Sequence, residues 1–324
     1  AVKEYAVLFP GQGSQNTSMI ELYSNEPLFI KTISDSSDIL GYNIEEVVKD
    51  ESKINNTIYT QPIMVATSIG IWRTWLDKKE IYPKFAAGHS LGEYTAMVAN
   101  NTISLEDCLL LVNHRATMMV NAMDGIEGGM AAILGSNKSD DSLKDIVNTV
   151  CKEISGGELT IEPVNYNSKD QIVIAGHKKL IDESAAIFKE RGAKRAIVLP
   201  VSVAAHSSLM NKCSDNLSKE LKNININIGD KVLFPIIHNV DAAIKTDTDG
   251  IINTLCKQIC NPVLWEDSIE YMHKNNIRNF VEIGPGQVLT GLNIKIFSSK
   301  NNSTVLNLPT FSPEKMNTAL EELI

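Results

Sequence analysis

Short apolar runs, each closed by a glycine-containing turn, recur along this chain. Residues 5–9 lead into Pro10-Gly11-Gln12-Gly13-Ser14-Gln15, residues 84–87 into Gly88, and residues 280–283 into Gly284-Pro285-Gly286. Runs this short and this apolar predict buried strands. Between them the spacing shifts to threes and fours. Residues 93–99 carry the pattern of a packed helix, and residues 105–121 do so behind Ser104-Leu105-Glu106-Asp107, an N-cap with acids in the first turn. Cys108, Leu111, Val112, Met118 and Met119 share one face of that second helix, and Arg115 lies among them. Strands that turn into helices predict an open α/β sheet, which binds ligands at the carboxyl ends of its strands.

The middle of the chain follows a different order. A strand at 130–134, a helix at 139–152, strands at 159–165 and 171–175, a helix at 177–191 and a strand at 194–199 give βαββαβ, the ferredoxin-like sequence of elements. The α/β pattern resumes afterwards, with a helix from just beyond His206 to about residue 222 and a strand at 233–238. Residues 128–200 are therefore expected to form a small subdomain inserted in a larger one made of 1–127 and 201–324. The fold class is α/β.

Composition narrows the function. With 324 residues, 43% of them hydrophobic, the chain can bury a large core. No apolar run approaches the roughly 18 residues of a membrane span. A formal charge of -9 argues against general affinity for nucleic acid or anionic membranes. The five cysteines form no CxxC, and Cys256 and Cys260 have the i,i+4 spacing of core thiols. The six histidines form neither HExxH nor a cysteine-histidine cluster, so no metal is expected. GQGSQ lacks the spacing of a P-loop or a dinucleotide fingerprint, and no cofactor is expected.

Gly88-His89-Ser90-Leu91-Gly92 is the strongest chemical signal. A GxSxG between strand and helix presents a serine on a sharp turn, with the Leu91 amide free at the helix N-terminus to donate to an oxyanion. An ordinary serine-containing turn is the plainer reading. Arg115 on an apolar face needs an anion or a route to water, as a substrate anchor or as a structural or snorkelling cation. His206, among small neighbours at a strand-to-helix junction, reads as either a base or a structural histidine. Gln12, in the first glycine turn, is a further candidate.

Taken together, Phe9-Pro10-Gly11-Gln12-Gly13-Ser14-Gln15, Thr60-Gln61-Pro62, the GHSLGEY run from Gly88 to Tyr94, Pro163-Val164-Asn165-Tyr166-Asn167-Ser168, Asn261-Pro262-Val263 and Glu282-Ile283-Gly284-Pro285-Gly286 resemble the malonyl-CoA:acyl carrier protein transacylase family nearly end to end. The resemblance implies an α/β-hydrolase-like large subdomain with a ferredoxin-like insertion. It implies transfer of malonyl from malonyl-CoA to holo acyl carrier protein, through a malonyl-serine, in fatty-acid synthesis. Residue by residue it makes Ser90 the nucleophile, His206 the base, Arg115 the malonyl anchor, and the backbone amides of Gln12 and Leu91 the oxyanion donors. Gln258 would orient the histidine through its carbonyl, and Asn165 would lie near the substrate. Apart from the resemblance, Lys194 and Arg195, with Lys178 and Lys179, read either as a local basic patch for the acidic carrier protein or as a plain solvated face.

Ala204-Ala205 stand where the family commonly has proline and serine, which leaves room for a branched malonyl group. Two alternatives compete: a serine esterase with an acid behind its histidine, and an inactive acyltransferase-like scaffold. The chain opens on Ala1 and is rich in asparagine and isoleucine, which predicts a plastid of apicoplast type or another organellar matrix, with bacterial cytoplasm as the alternative. A monomer is expected.

Overall fold

The computed structural model describes residues 1–136, 141–298, 300 and 304–324. Its strands, in chain order, are β1 (Ala6–Phe9), β2 (Phe85–Gly88), β3 (Gly128–Ser136), β4 (Ile161–Ser168), β5 (Gln171–His177), β6 (Ala193–Leu199), β7 (Asn279–Glu282) and β8 (Leu306–Pro309). They form two sheets. One is parallel throughout, in the order β2-β1-β7-β8. The other is antiparallel throughout, in the order β4-β5-β3-β6.

The pleat of β1 sends Val7 and Phe9 into one buried cluster and Ala6 and Leu8 into another. Helices Thr57–Lys78 and Gly92–Ala99 cover the first face, and Trp265–Lys274 and Val288–Ser298 cover the second. Burial on both faces explains why the strand sequence is continuously apolar and does not alternate. Phe9 pairs with Gly88 at the carboxyl ends of β1 and β2, so their following turns lie side by side, joined by the His89 amide on the Phe9 carbonyl at 3.0 Å.

The antiparallel sheet carries helices Leu143–Ile154 and Lys178–Glu190 on one face, over Ala131, Ile133, Ile172 and Ile174. Its other face contributes Val164, Val173 and Ala175 to the main core. The order of elements is βαββαβ. β3 and β6 pair with Met130 opposite Leu199, so the chain enters and leaves this sheet side by side.

Four expectations need correction. The helix expected from 139 is capped by Ser142 and starts at Leu143; Ser139 and Asp140 lie outside the described residues. The stretch after His206 is a short 3-10 turn, Ser208–Met210, and the helix begins only at Cys213. The strand expected at 233–238 is reduced to one bridge between Ile236 and Ala86. Pro235 has no amide to continue the ladder, and the chain turns at His238, whose carbonyl accepts from Ala242. Cys256 is in helix Thr248–Gln258, but Cys260 lies beyond its end and is half-buried, so the two do not form a pair of core thiols.

Candidate active site

Ser90 follows β2 and precedes helix Gly92–Ala99. Its φ is +55°, in the left-handed region that residues with a Cβ rarely adopt. The turn is tight enough that a Cβ on Gly88 would stand 1.9 Å from the Gly92 carbonyl carbon, and one on Gly92 would stand 2.0 Å from the Phe9 carbonyl oxygen. The motif's outer glycines are thus required by contact. The strained turn is held by Asn239, which is fully buried. Its Oδ1 accepts the Ser90 amide at 2.8 Å and its Nδ2 donates to the Gly88 carbonyl at 2.7 Å. Glu93, also buried, accepts the Asn239 amide at 2.7 Å and contacts His238 Nδ1 at 3.1 Å.

His206 is 2% exposed and also has a positive φ, +64°. Its Nε2 lies 2.6 Å from Ser90 Oγ, and its Nδ1 lies 2.6 Å from the Gln258 carbonyl oxygen. A carbonyl can only accept, so Nδ1 carries the proton and Nε2 is left to accept from the serine. Burial, and then the neighbouring Arg115 cation, lower the imidazole pKa to about 3. In the free protein it is a neutral base.

Arg115 is 1% exposed in helix Leu105–Ala122. NH1 donates to Gln61 Oε1 at 2.8 Å and NH2 to Gln258 Oε1 at 3.3 Å, while Nε has no partner among the described residues. Tyr94 lies under the guanidinium, 5.1 Å from ring centroid to Cζ. Among the described residues no carboxylate forms an ion pair with it. The Gln258 side chain also donates to the Ser90 carbonyl at 2.9 Å, so one amide joins the buried cation to the serine.

The sequence matches the acyl transferase domain family over residues 7–323. It is 37% identical over 309 residues to the malonyl CoA-acyl carrier protein transacylase of Salmonella typhimurium, which spans 94% of this chain and 96% of that one. This chain belongs to the malonyl-CoA:acyl carrier protein transacylase family. The structure of the family's Coxiella burnetii transacylase superposes with a TM-score of 0.91 at 33% identity, over 99% of this chain and 98% of that one. A malonyl-transacylase in complex with its type II PKS acyl-carrier protein gives 0.91 at 36% identity, over 98% and 99%.

The other residues implicated by the transacylase family fall at different distances from this centre. Gln12 is exposed on the turn after β1, and Leu91 is buried at the helix N-terminus. Among the described residues neither backbone amide donates to a protein acceptor. The Ser90 amide, by contrast, is already engaged by Asn239. Asn165 is buried in β4 where that strand bridges to Val263, a few residues past Gln258. Lys194 and Arg195 lie exposed on the edge strand β6, without ion-pair partners among the described residues; Lys178 is paired with Asp182 at 2.8 Å.

Reading the sequence residue by residue missed Asn239, Thr57 and the part played by the Gln61 side chain. The only signal for Asn239 is a polar pair, His238-Asn239, closing an apolar run. Nothing local connects it with a serine 149 positions earlier.

Proposed function

We propose that this protein transfers a malonyl group from malonyl-CoA to the phosphopantetheine thiol of acyl carrier protein, with Ser90, His206 and Arg115 in the roles implied by the family. The observation that carries the reading is the buried Arg115, without a carboxylate partner among the described residues and one glutamine amide away from a serine that is hydrogen-bonded to a neutral histidine. A guanidinium there is matched by a substrate carboxylate, which can accept two parallel N–H bonds.

In the first half-reaction Ser90 Oγ attacks the thioester carbonyl of malonyl-CoA as its proton passes to His206 Nε2. The carbonyl oxygen becomes an oxyanion facing the amides of Gln12 and Leu91, each worth about 2.7–4 kcal/mol in comparable sites. The C–S bond breaks, CoA leaves with the proton from His206, and malonyl-Ser90 remains. In the second half-reaction the carrier thiol gives its proton to His206 and attacks the ester. The C–O bond then breaks and the proton returns to Ser90. A thiolate is a far better leaving group than an amine, so a neutral carbonyl suffices behind His206 where amide hydrolysis uses a carboxylate. The esterase alternative calls for such an acid. Buried Glu93, three residues after Ser90, is engaged by His238 and Asn239.

The same reading takes the parallel sheet as an α/β-hydrolase-like large subdomain, 1–127 and 201–324, and the antiparallel one as a ferredoxin-like insertion, 128–200. The strand order β4-β5-β3-β6 and the paired ends of β3 and β6 support this. Asn165 is assigned to the acyl pocket by the family resemblance and its burial, and Lys194 and Arg195 to carrier docking by their charge and exposure. For the compartment, the relatives behind the reading are bacterial, which favours a bacterial cell over the plastid suggested by composition.

Intact-mass measurement after mixing with malonyl-CoA, with Ser90→Ala as control, tests the proposal. A malonyl adduct on the unsubstituted chain alone, discharged by holo acyl carrier protein, is the expected result. An adduct discharged only by water would indicate an esterase, and no adduct an inactive scaffold.

A further inference from the structure

The helix that begins at Thr57 carries two buried polar residues one turn apart, Thr57 and Gln61. They form an unbroken line of hydrogen bonds. Arg115 NH1 donates to Gln61 Oε1 at 2.8 Å, Gln61 Nε2 donates to Thr57 Oγ1 at 3.0 Å, and Thr57 Oγ1 donates to Gln12 Oε1 at 2.9 Å. The guanidinium fixes the direction of the first two steps. It has no acceptor, so Gln61 must present its oxygen to Arg115 and its NH2 to Thr57. The Thr57 hydroxyl accepts from Gln61 and donates its own proton to the oxygen of Gln12. Gln12 is otherwise an exposed residue on a glycine turn, and this bond ties its side chain to the body of the protein.

We propose that Thr57 is a positioning residue that couples the carboxylate anchor, Arg115, to the oxyanion-forming turn at Gln12. The inference rests on the transfer reading given above. Its physical content is that one line of bonds sets two distances at once: where the guanidinium presents itself to a carboxylate, and where the Gln12 amide stands over the thioester oxygen. A malonyl group uses both ends of the line. An acetyl group uses only the oxyanion end. Breaking the line in the middle therefore penalises malonyl more than acetyl, although Thr57 contacts neither group.

The test is Thr57→Val, which keeps the shape and removes the hydroxyl, beside Thr57→Ser, which restores it. Pre-steady-state acylation of Ser90 is followed by intact mass with malonyl-CoA and with acetyl-CoA, and folding is checked by thermal melting. For Thr57→Val the malonyl rate is expected to fall about tenfold and the acetyl rate about threefold, so that selectivity drops, as for a side-chain network broken at one member. Thr57→Ser is expected to recover both the rate and the ratio. Equal losses for the two substrates would reduce Thr57 to a support for the turn and overturn the coupling, as would unchanged rates. A failure of the unsubstituted chain to take up malonyl at all would instead overturn the transfer reading, and the coupling with it. If Thr57→Val melts early, the ratio measured with Thr57→Ala at low temperature decides, because a loss of fold lowers both rates together.

Discussion

Asn239 Oδ1 accepts the backbone amide of Ser90 at 2.8 Å, across 149 residues of chain. The bond does two things. It holds the serine at a φ of +55°, and it engages the Ser90 amide, whereas the amides of Gln12 and Leu91, the proposed oxyanion donors, have no protein acceptor among the described residues. Asn239→Ala removes the acceptor from Ser90 and the donor from Gly88. A loss of about 1–3 kcal/mol in stability is expected, with acylation of Ser90 slowed at least tenfold. Thermal melting and single-turnover mass measurements check this. Unchanged acylation would mean that the turn holds itself.

Arg115 is expected to work against stability and for selectivity. Arg115→Met replaces a buried cation that has no carboxylate partner among the described residues by an apolar chain of similar length. The free protein should melt at a higher temperature, as buried charges often behave on replacement. Malonyl selectivity over acetyl should meanwhile fall by about two orders of magnitude, since an unmet buried charge costs about 3–5 kcal/mol. Comparing kcat/KM for malonyl-CoA and acetyl-CoA measures the second effect. A retained preference for malonyl would remove Arg115 from the role assigned to it.

Gln258 serves the site twice. Its carbonyl fixes the tautomer of His206, while its side chain bridges Arg115 and Ser90. Gln258→Ala keeps the first and loses the second, so the pH profile should stay in place while malonyl transfer drops roughly tenfold, the loss expected from one buried hydrogen bond to a charged group. If transfer is undiminished, only the backbone of this residue matters.

The acid behaviour follows from His206. Its pKa is lowered from 6.5 to about 3 by burial and by Arg115, so the base stays neutral as the pH falls below 6.5. Acylation should be nearly as fast at about pH 5.5 as at neutrality, and an acid limb centred on 6.5 would contradict this. Stability responds in a definite direction. Between 6.5 and about 3 the unfolded chain binds the imidazole proton and the folded one does not, so this residue's contribution is complete above 6.5 and is lost on acidification towards 3. His206→Gln should lessen the dependence of stability on pH in that window by up to about 1.4 kcal/mol per pH unit. Denaturant titrations at several pH values supply the comparison.

The sequence by itself determined the local pieces: the apolar runs before the glycine turns as strands, the βαββαβ order, the N-cap at Ser104, and a GxSxG turn whose glycines are required by close packing. These depend on periodicity and on residues a few positions apart. It also named Ser90, His206 and Arg115, though each retained a plain structural reading until many motifs were taken together. Tertiary structure alone decided what each polar group is bonded to. Asn239 under the serine, the Gln258 side chain between Arg115 and Ser90, and the line from Arg115 through Gln61 and Thr57 to Gln12 join residues brought together by the packing of strands and helices. The same packing left a strand expected at 233–238 with a single bridge. A hydrogen bond is directional and its partner is set by the approach of two backbones, which no local pattern records. Burial likewise turned a histidine and an arginine from residue types into a neutral imidazole beside a serine and a cation held by two glutamine oxygens.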